Sequence, residues 1–227
     1  MPRGDITYRS SARRAHTAVW LFRAMAAVGV LYAAASLWRL SESDPLVVSI
    51  ASAPKGLLLS TAALGLVALL AVVVRLCAMI AFMTWLYRAT KNLPALGVSD
   101  PGVTPGWAVG CWLVPFVNII APCIVVLRVW RASDPGPTAR PSGGAQGWPL
   151  LYAWWGVFMA LSVSGLAVWF ARSASGLAVG NGLLTQGQVW AYLCSGIASI
   201  VMSLLAIRVV REIERRQTEK SQLQAFA

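Results

Sequence analysis

The chain has 227 residues, 58% of them hydrophobic and only 12% charged, with a mean hydropathy of +0.66; soluble domains are about 45–50% apolar and about a quarter charged, so a soluble fold is excluded. The formal charge of +11 would suit nucleic acid if it were gathered on one face. The basic residues instead sit in small groups beside apolar runs (Arg13 and Arg14; Arg88 and Lys91; Arg128 and Arg131; Arg208, Arg211, Arg215 and Arg216), as positive loops retained in the cytoplasm do, and nucleic acid is not an expected partner.

Residues 1–18 read as a basic cytoplasmic segment, and residues 19–211 as a single polytopic membrane domain. Its first span, 19–38, has about the 20 residues that cross some 30 Å of hydrocarbon. Trp20 and Trp38 bracket it as an aromatic belt, and Arg23 is placed to snorkel back toward the headgroups. Arg13 and Arg14 ahead of this run, and Ala33–Ala35 near its end, mimic a secretory signal. The run is too long for one and other spans follow it, so an uncleaved signal anchor is the better reading. The loop with Glu42, Asp44 and Pro45 suits the outer face.

The second apolar run, after Pro54 and Gly56, is too long for a simple crossing and contains Arg75. An arginine at mid-membrane would cost at least about 2.5 kcal/mol. The preferred reading therefore ends the span at 57–75 and lets the helix extend to residue 90. That extension carries Met79, Ile80, Phe82, Met83, Trp85 and Leu86, which another part of the protein must cover.

The third run, 107–130, has spanning length but holds Pro115 and Pro122, each of which would remove a hydrogen bond from a helix interior at about 3 kcal/mol. In lipid the freed carbonyls of Cys111 and Asn118 need partners. The Asn118 carboxamide could supply them, or it could face a ligand. Runs four and five, 149–171 and 188–208, are plain spans with Trp148, Trp154, Trp155, Trp169 and Trp190 near their ends. Between them, 173–188 suits the outer face, whereas 134–147, with Arg140 and many Pro and Gly, suits a flexible cytoplasmic connection. Residues 212–227 form a cytoplasmic tail into which the last helix continues, with Glu212 and Arg216 at i and i+4.

Both termini are basic, so both should stay cytoplasmic, and five crossings would separate them. The defective run is also flanked by positive charge on both sides. The expected architecture is thus an all-α integral membrane protein with four transmembrane helices and a re-entrant or interfacial helical hairpin over 107–130. That hairpin is bent between Pro115 and Pro122, entered through Pro105, Gly106 and Trp107, and packed on the extension of the second helix. Ser195, Ser199 and Ser203, with Ala160 and Ser164, are small residues at four-residue spacing that let helices approach closely, within one chain or across a homodimer seam.

The string Phe82-x-x-Trp85-Leu86-Tyr87-Arg88-Ala89-x-x-Asn92-Leu93, then Leu96-Gly97 and Pro105-Gly106-Trp107-Ala108-Val109-Gly110, continues through Val114-Pro115-Phe116-x-Asn118 and Pro122 to Trp130-Arg131-Ala132-Ser133. It resembles a bacterial membrane family catalogued as domain of unknown function 4328. The resemblance covers about fifty central residues, and the Tyr8-Arg9-Ser10 opening and the helix order look similar too. It implies a multi-helix membrane domain and no particular activity. Cys123 departs from the aromatic residue expected after the second proline, which loosens packing there.

The expected spans hold no Asp, Glu or His, so acid–base, aspartyl and serine–histidine chemistry lack their groups, and proton- or cation-coupled transport lacks its carboxylates. Cys77, Cys111, Cys123 and Cys194 lie within apolar runs as reduced, buried small hydrophobes, and His16 is the only histidine; neither a metal nor a cofactor is expected. Arg75, Arg88, Arg128 and Arg131, with Trp85, Trp112 and Asn118, form the candidate site, the arginines converging near the hairpin to bind an anion or lipid headgroup. The expected function is non-catalytic: a scaffold or regulatory module of the bacterial inner membrane, engaging a membrane or cytoplasmic protein or anionic lipid at the cytoplasmic leaflet. The alternative is a small transporter or channel-like protein whose hairpin lines a polar path.

Overall fold

In the computed structural model residues 8–42, 53–136, 148–174 and 185–225 are described, without the side chains of 167–169 and 171–174, and every element among them is helical. Helix α1 (Ala12–Ser41) starts well before the apolar run, where Ser10 Oγ accepts from the Ala12 amide at 3.2 Å. Helix α2 runs from Lys55 to Asn92. It stops before Pro94, which opens a single 3-10 turn (Pro94–Leu96) closed by Gly97 at φ 75°, the left-handed conformation that glycine adopts without strain. Helices α3 (Pro105–Gly110) and α4 (Ala121–Ala132) are short, with a further 3-10 turn (Val117–Ile119) between them.

Helix α5 spans Trp148–Ala174 and helix α6 Gln186–Ala225. A reciprocal cap starts α6: the Gln188 amide donates to Thr185 Oγ1 and the Thr185 amide to Gln188 Oε1, at 3.3 and 3.2 Å, a capping box that satisfies two otherwise orphaned donors. α1, α2, α5 and α6 are long and apolar enough to cross a membrane. The expected outer-face loop at 42–45, apart from Glu42, the connection from residue 137 to 147, most of the 173–188 loop and the Trp169 side chain lie outside the described residues.

By its internal packing the chain divides into two compact units. The first is Met1–Phe22, Cys77–Trp155 and Leu205–Ala227; the second is Arg23–Leu76 and Gly156–Leu204. In the second unit each long helix contributes roughly 20 residues (23–41, 55–76, 156–174 and 186–204), or about 30 Å of helix. Leu59, Leu66, Leu69, Val163 and Leu166 lie on its surface, all more than half exposed, as side chains facing hydrocarbon would be.

Within that unit α1 and α6 meet at glycine. A Cβ on Gly196 would stand 3.0 Å from both the Ala33 amide and the Gly29 carbonyl, and one on Gly29 would stand 3.0 Å from the Gly196 carbonyl. Ser199 and Ser203 are buried, so the α6 serine stripe packs intramolecularly, whereas Ala160 and Ser164 on α5 are exposed. The glycine pair, which the serine spacing does not reveal, sets the distance between the two helices. Arg39 Nε donates to Thr61 Oγ1 at 3.0 Å and the Tyr32 and Tyr192 rings stand 5.8 Å apart, joining α1 to α2 and to α6.

In the first unit the helix extension finds the cover it needs. Phe82 is a ring hub, with centroids 6.1 Å from Phe22, 5.5 Å from Trp85, 5.6 Å from Trp112 and 5.8 Å from Trp154. Phe82, Met83, Trp85 and Leu86 are buried, but Met79 and Ile80 are exposed, which corrects the expectation for that pair. They stand a turn before the hub on α2. The last stretch of α6 buries Val209, Val210, Ile213, Arg216 and Gln217, and residues 222–225 at its end are exposed.

Because the atoms facing Gly196 are backbone, which cannot move aside, Gly196→Ala should destabilise the protein by about 1–3 kcal/mol, the usual cost of overpacking. Gly65→Ala, where a Cβ meets nothing within 4 Å, should be neutral or slightly stabilising. Thermal unfolding of the two variants in detergent distinguishes them; equal melting temperatures would refute the close crossing.

Candidate functional site

The proline-rich segment lies in the first unit and its helix is broken, the irregular stretch running over 111–120 and so across the expected bend between Pro115 and Pro122. Thr104 caps α3, its hydroxyl accepting from the Trp107 amide at 3.2 Å, and Pro105 takes the first helical position, where no N–H is needed. The helix ends at Gly110, and the chain then turns through 111–116. Pro115 sits in this turn, its carbonyl accepting from the Val117 amide at 2.8 Å. Pro122 does not interrupt a helix: it lies in the first turn of α4, where proline is tolerated. The break therefore belongs to Pro115 and to Phe116, whose φ of 64° is an outlier for a bulky residue.

Phe116 is 86% exposed, and Leu113, Ile119 and Ile120 beside it are each more than half exposed. A bulky aromatic held in a strained backbone yet facing outward is unfavourable in water on both counts. The Asn118 Oδ1 is buried without a hydrogen-bond partner. A groove of about 790 Å³ runs along α3, lined by Arg14, Met83, Thr84, Tyr87, Gly106, Val109 and Gly110. The two glycines leave it wide, since a Cβ on either would meet nothing within 4 Å.

Trp85 and Trp112 both pack on the Phe82 ring, and each candidate-site arginine of the first unit has a partner of its own. Arg88 Nε donates to the Arg9 carbonyl at 3.4 Å, and Asn92 Nδ2 to the same oxygen at 2.9 Å. The Arg128 guanidinium donates to the Gly102 carbonyl, and Arg131 stacks 4.4 Å over the Trp148 ring. Arg75 belongs to the second unit. Three of the four thus serve as tethers, because a carbonyl or ring facing a guanidinium is the acceptor available close by.

The polar centre of the first unit is instead on α6, in positions that periodicity alone does not single out. Glu214 Oε2 accepts from Ser11 Oγ at 2.7 Å and from Trp85 Nε1 at 3.2 Å. Gln217 Nε2 donates to the Ala89 carbonyl at 3.0 Å and to Ser133 Oγ at 3.1 Å. Buried Arg216 stacks 4.3 Å over Trp130 and its Nε donates to Glu212 at 2.9 Å. The hydrogen bond from Arg215, opposed by burial and aided by Arg216, holds the Glu212 carboxyl below its usual range. Burial pushes the Lys220 ammonium below its usual range, and its Nζ donates to the Ala132 carbonyl at 3.0 Å. The only sequence signal for this centre was the Glu212/Arg216 spacing.

The second unit holds a cavity of about 140 Å³, lined by Met25, Val28, Gly29, Tyr32, Ala68, Ala71, Val72, Arg75, Ser195 and Ser199. All four cysteines are free thiols. Only Cys111 is buried, while Cys77 and Cys194 are exposed, which corrects the expectation that all are covered by protein. No group of three or more His, Cys, Asp or Glu side chains gathers among the described residues.

Gln217→Ala removes both hydrogen bonds from a fully buried side chain and should destabilise the protein by about 1–3 kcal/mol. Denaturation that leaves the melting temperature unchanged would refute its role as a tie between α2, α4 and α6. A lowered carboxyl pKa stabilises the folded state above the ordinary carboxylate range, and that contribution is lost as pH falls through the folded value. Stability should therefore drop on acidification below about pH 4.5, and Glu212→Gln should flatten that part of the profile.

No curated protein and no solved structure matches the chain. Residues 49–215 match the model of a family described as "Domain of unknown function (DUF4328)", a span that takes in α2, the broken segment, α5 and α6 up to its Glu212–Arg215 pair. With most of its length covered, the chain belongs to the DUF4328 family.

Proposed function

We propose that this chain is a multi-pass protein of the bacterial inner membrane with both termini cytoplasmic, whose segment 107–130 dips into the cytoplasmic leaflet and returns. Its role is that of a non-catalytic scaffold or regulatory module, engaging a protein partner or anionic lipid at that leaflet. The observation that carries the reading is the exposed apolar tip at Leu113, Phe116, Ile119 and Ile120, on a segment whose two flanks bear Arg88 and Lys91 before it and Arg128 and Arg131 after it. An apolar tip between basic flanks is the arrangement expected of a segment inserted from a negatively charged surface.

The surface left for a partner is narrower than the whole C-terminal helix. Val210, Ile213 and Gln217 are committed to the core, whereas Arg208 and Arg211 are exposed three residues apart and the exposed Arg215 is already paired with Glu212 and Glu219. A basic stripe on a rigid helix supports recognition of an acidic surface, protein or lipid. The absence of Asp, Glu and His from the expected spans supports the non-catalytic reading.

Single cysteines at Ser99 and Ser142, in a cysteine-free background and read with an impermeant label, should report the same compartment. A fluorophore at Phe116→Cys should be quenched by lipid-borne quenchers. Labels in opposite compartments would refute the re-entrant topology. Crosslinking in native membranes should recover one stoichiometric protein through Arg208 or Arg211, and its loss in the Arg208→Glu, Arg211→Glu variant would tie it to the basic stripe. Crosslinks to lipid alone would leave anionic lipid as the partner, and crosslinks to neither would refute the role.

A further inference from the structure

The helices of the second unit handle their hydroxyl groups in a consistent way, with one exception. Ser36, Ser60, Thr61, Ser162, Ser164 and Ser203 each donate to a carbonyl three or four residues earlier, at 2.7–3.1 Å. That is how a hydroxyl is satisfied where no water is at hand. Ser195 and Ser199 do not, and both line the 140 Å³ cavity. Tyr32 and the exposed Arg75 line the same cavity, and among the described residues neither the Tyr32 hydroxyl nor the Arg75 guanidinium enters a hydrogen bond or ion pair.

The grouping is chemically selective. A guanidinium, a phenol and two hydroxyls offer donors and one positive charge, and no carboxylate lines the cavity to neutralise that charge. Hydroxyls able to donate, beside a guanidinium with no carboxylate in the lining, suit an oxyanion, and the guanidinium fork suits two oxygens on one centre. The remaining walls, Met25, Val28, Ala68, Ala71 and Val72, are apolar and suit the start of a hydrocarbon chain. The close crossing of α1 and α6 at Gly29 and Gly196 holds Tyr32 and Ser195 in register.

We infer that this cavity binds the phosphodiester of an anionic phospholipid, with Arg75 bearing the charge-assisted bonds and Tyr32, Ser195 and Ser199 donating to the remaining oxygens. The cavity volume corresponds to about four or five water molecules at roughly 30 Å³ each, room for one headgroup phosphate and not for a whole lipid. Its acyl chains would lie outside along the exposed apolar surface. This deepens the anionic-lipid part of the proposed function, and rests on it only in placing the second unit in the bilayer.

Native mass spectrometry of the full chain in detergent tests the site, with phosphatidylglycerol, phosphatidylcholine and inorganic phosphate as probes. Phosphatidylglycerol should be retained over phosphatidylcholine, and millimolar inorganic phosphate should not displace it. Arg75→Gln should lower retention about tenfold or more, as loss of charge-assisted hydrogen bonds does, and Arg75→Lys should recover part of it. The double variant Tyr32→Phe, Ser195→Ala keeps side-chain volume and fold, and should also lower retention several-fold. Unchanged retention in the double variant, shown to be folded by its melting curve, would overturn the site. Equal retention of the two lipids would overturn it too, and displacement by inorganic phosphate would overturn the lipid assignment. If Ser99 and Ser142 prove to lie in opposite compartments while these variants still lose lipid, the hairpin topology fails and the site stands.

Discussion

The first unit depends on one aromatic contact set more than on any other feature, the ring of Phe82 held among Phe22, Trp85, Trp112 and Trp154. Each aromatic pair is worth about 0.5–1.5 kcal/mol beyond its burial, but its topological effect is larger. It draws α1, α2, the turn after α3 and α5 onto a single side chain. A broken segment with six helical residues on one side and twelve on the other cannot hold itself, since such helices are too short to be stable alone. Trp112, in the turn between them, gives it an anchor, and Trp155 adds a second contact at 6.0 Å.

The parts of this fold legible in sequence are those set by hydrophobic length and by proline. Four runs of spanning length appear as four helices long and apolar enough to cross a membrane, and the run with two internal prolines is the one that fails to form a continuous helix. The two prolines were not distinguishable in advance. Pro122 starts α4 and only Pro115 falls in the break, because a proline's role depends on where the neighbouring residues turn, and that turn is made at Phe116. The extension of α2 was legible as needing cover because its apolar residues ran on past Arg75. Which of them would be covered was not, because that depends on the azimuth of neighbouring helices.

The candidate site was legible residue by residue but not as an assembly. Arginine beside an apolar run signals an interface, yet the residue type does not say whether its acceptor is a phosphate, a carbonyl or a ring. Arg88 and Arg128 found carbonyls and Arg131 found an indole, leaving Arg75 with the cavity. Gly29, Gly196 and Ser195 carry no charge and no motif; their significance lies in a helix crossing between positions far apart in sequence, which a single chain read by itself does not disclose. The Ser195–Ser199 spacing was visible, but it fits close packing as well as ligand contact. What separates the two uses is whether the hydroxyls fold back onto their own helix.

The α6 tail shows how one helix can meet two requirements at once. Gln217 and Glu214, less than a turn apart, place an amide and a carboxylate inside the first unit. Each is tied to α2, through the Ala89 carbonyl and Trp85 Nε1, at distances that side chains with fewer atoms would not span. Buried polar ties of this kind contribute modestly to stability, because each hydrogen bond replaces one to water. Their larger effect is on register: a rotation of α6 by one residue would leave Gln217, Glu214 and Arg216 all unsatisfied in an apolar setting, at several kcal/mol. That rotation would also turn the exposed face bearing Arg208, Arg211 and Arg215 away from its present direction. The buried residues therefore determine where the basic stripe points, and a partner that recognises the stripe would depend on core residues it never touches.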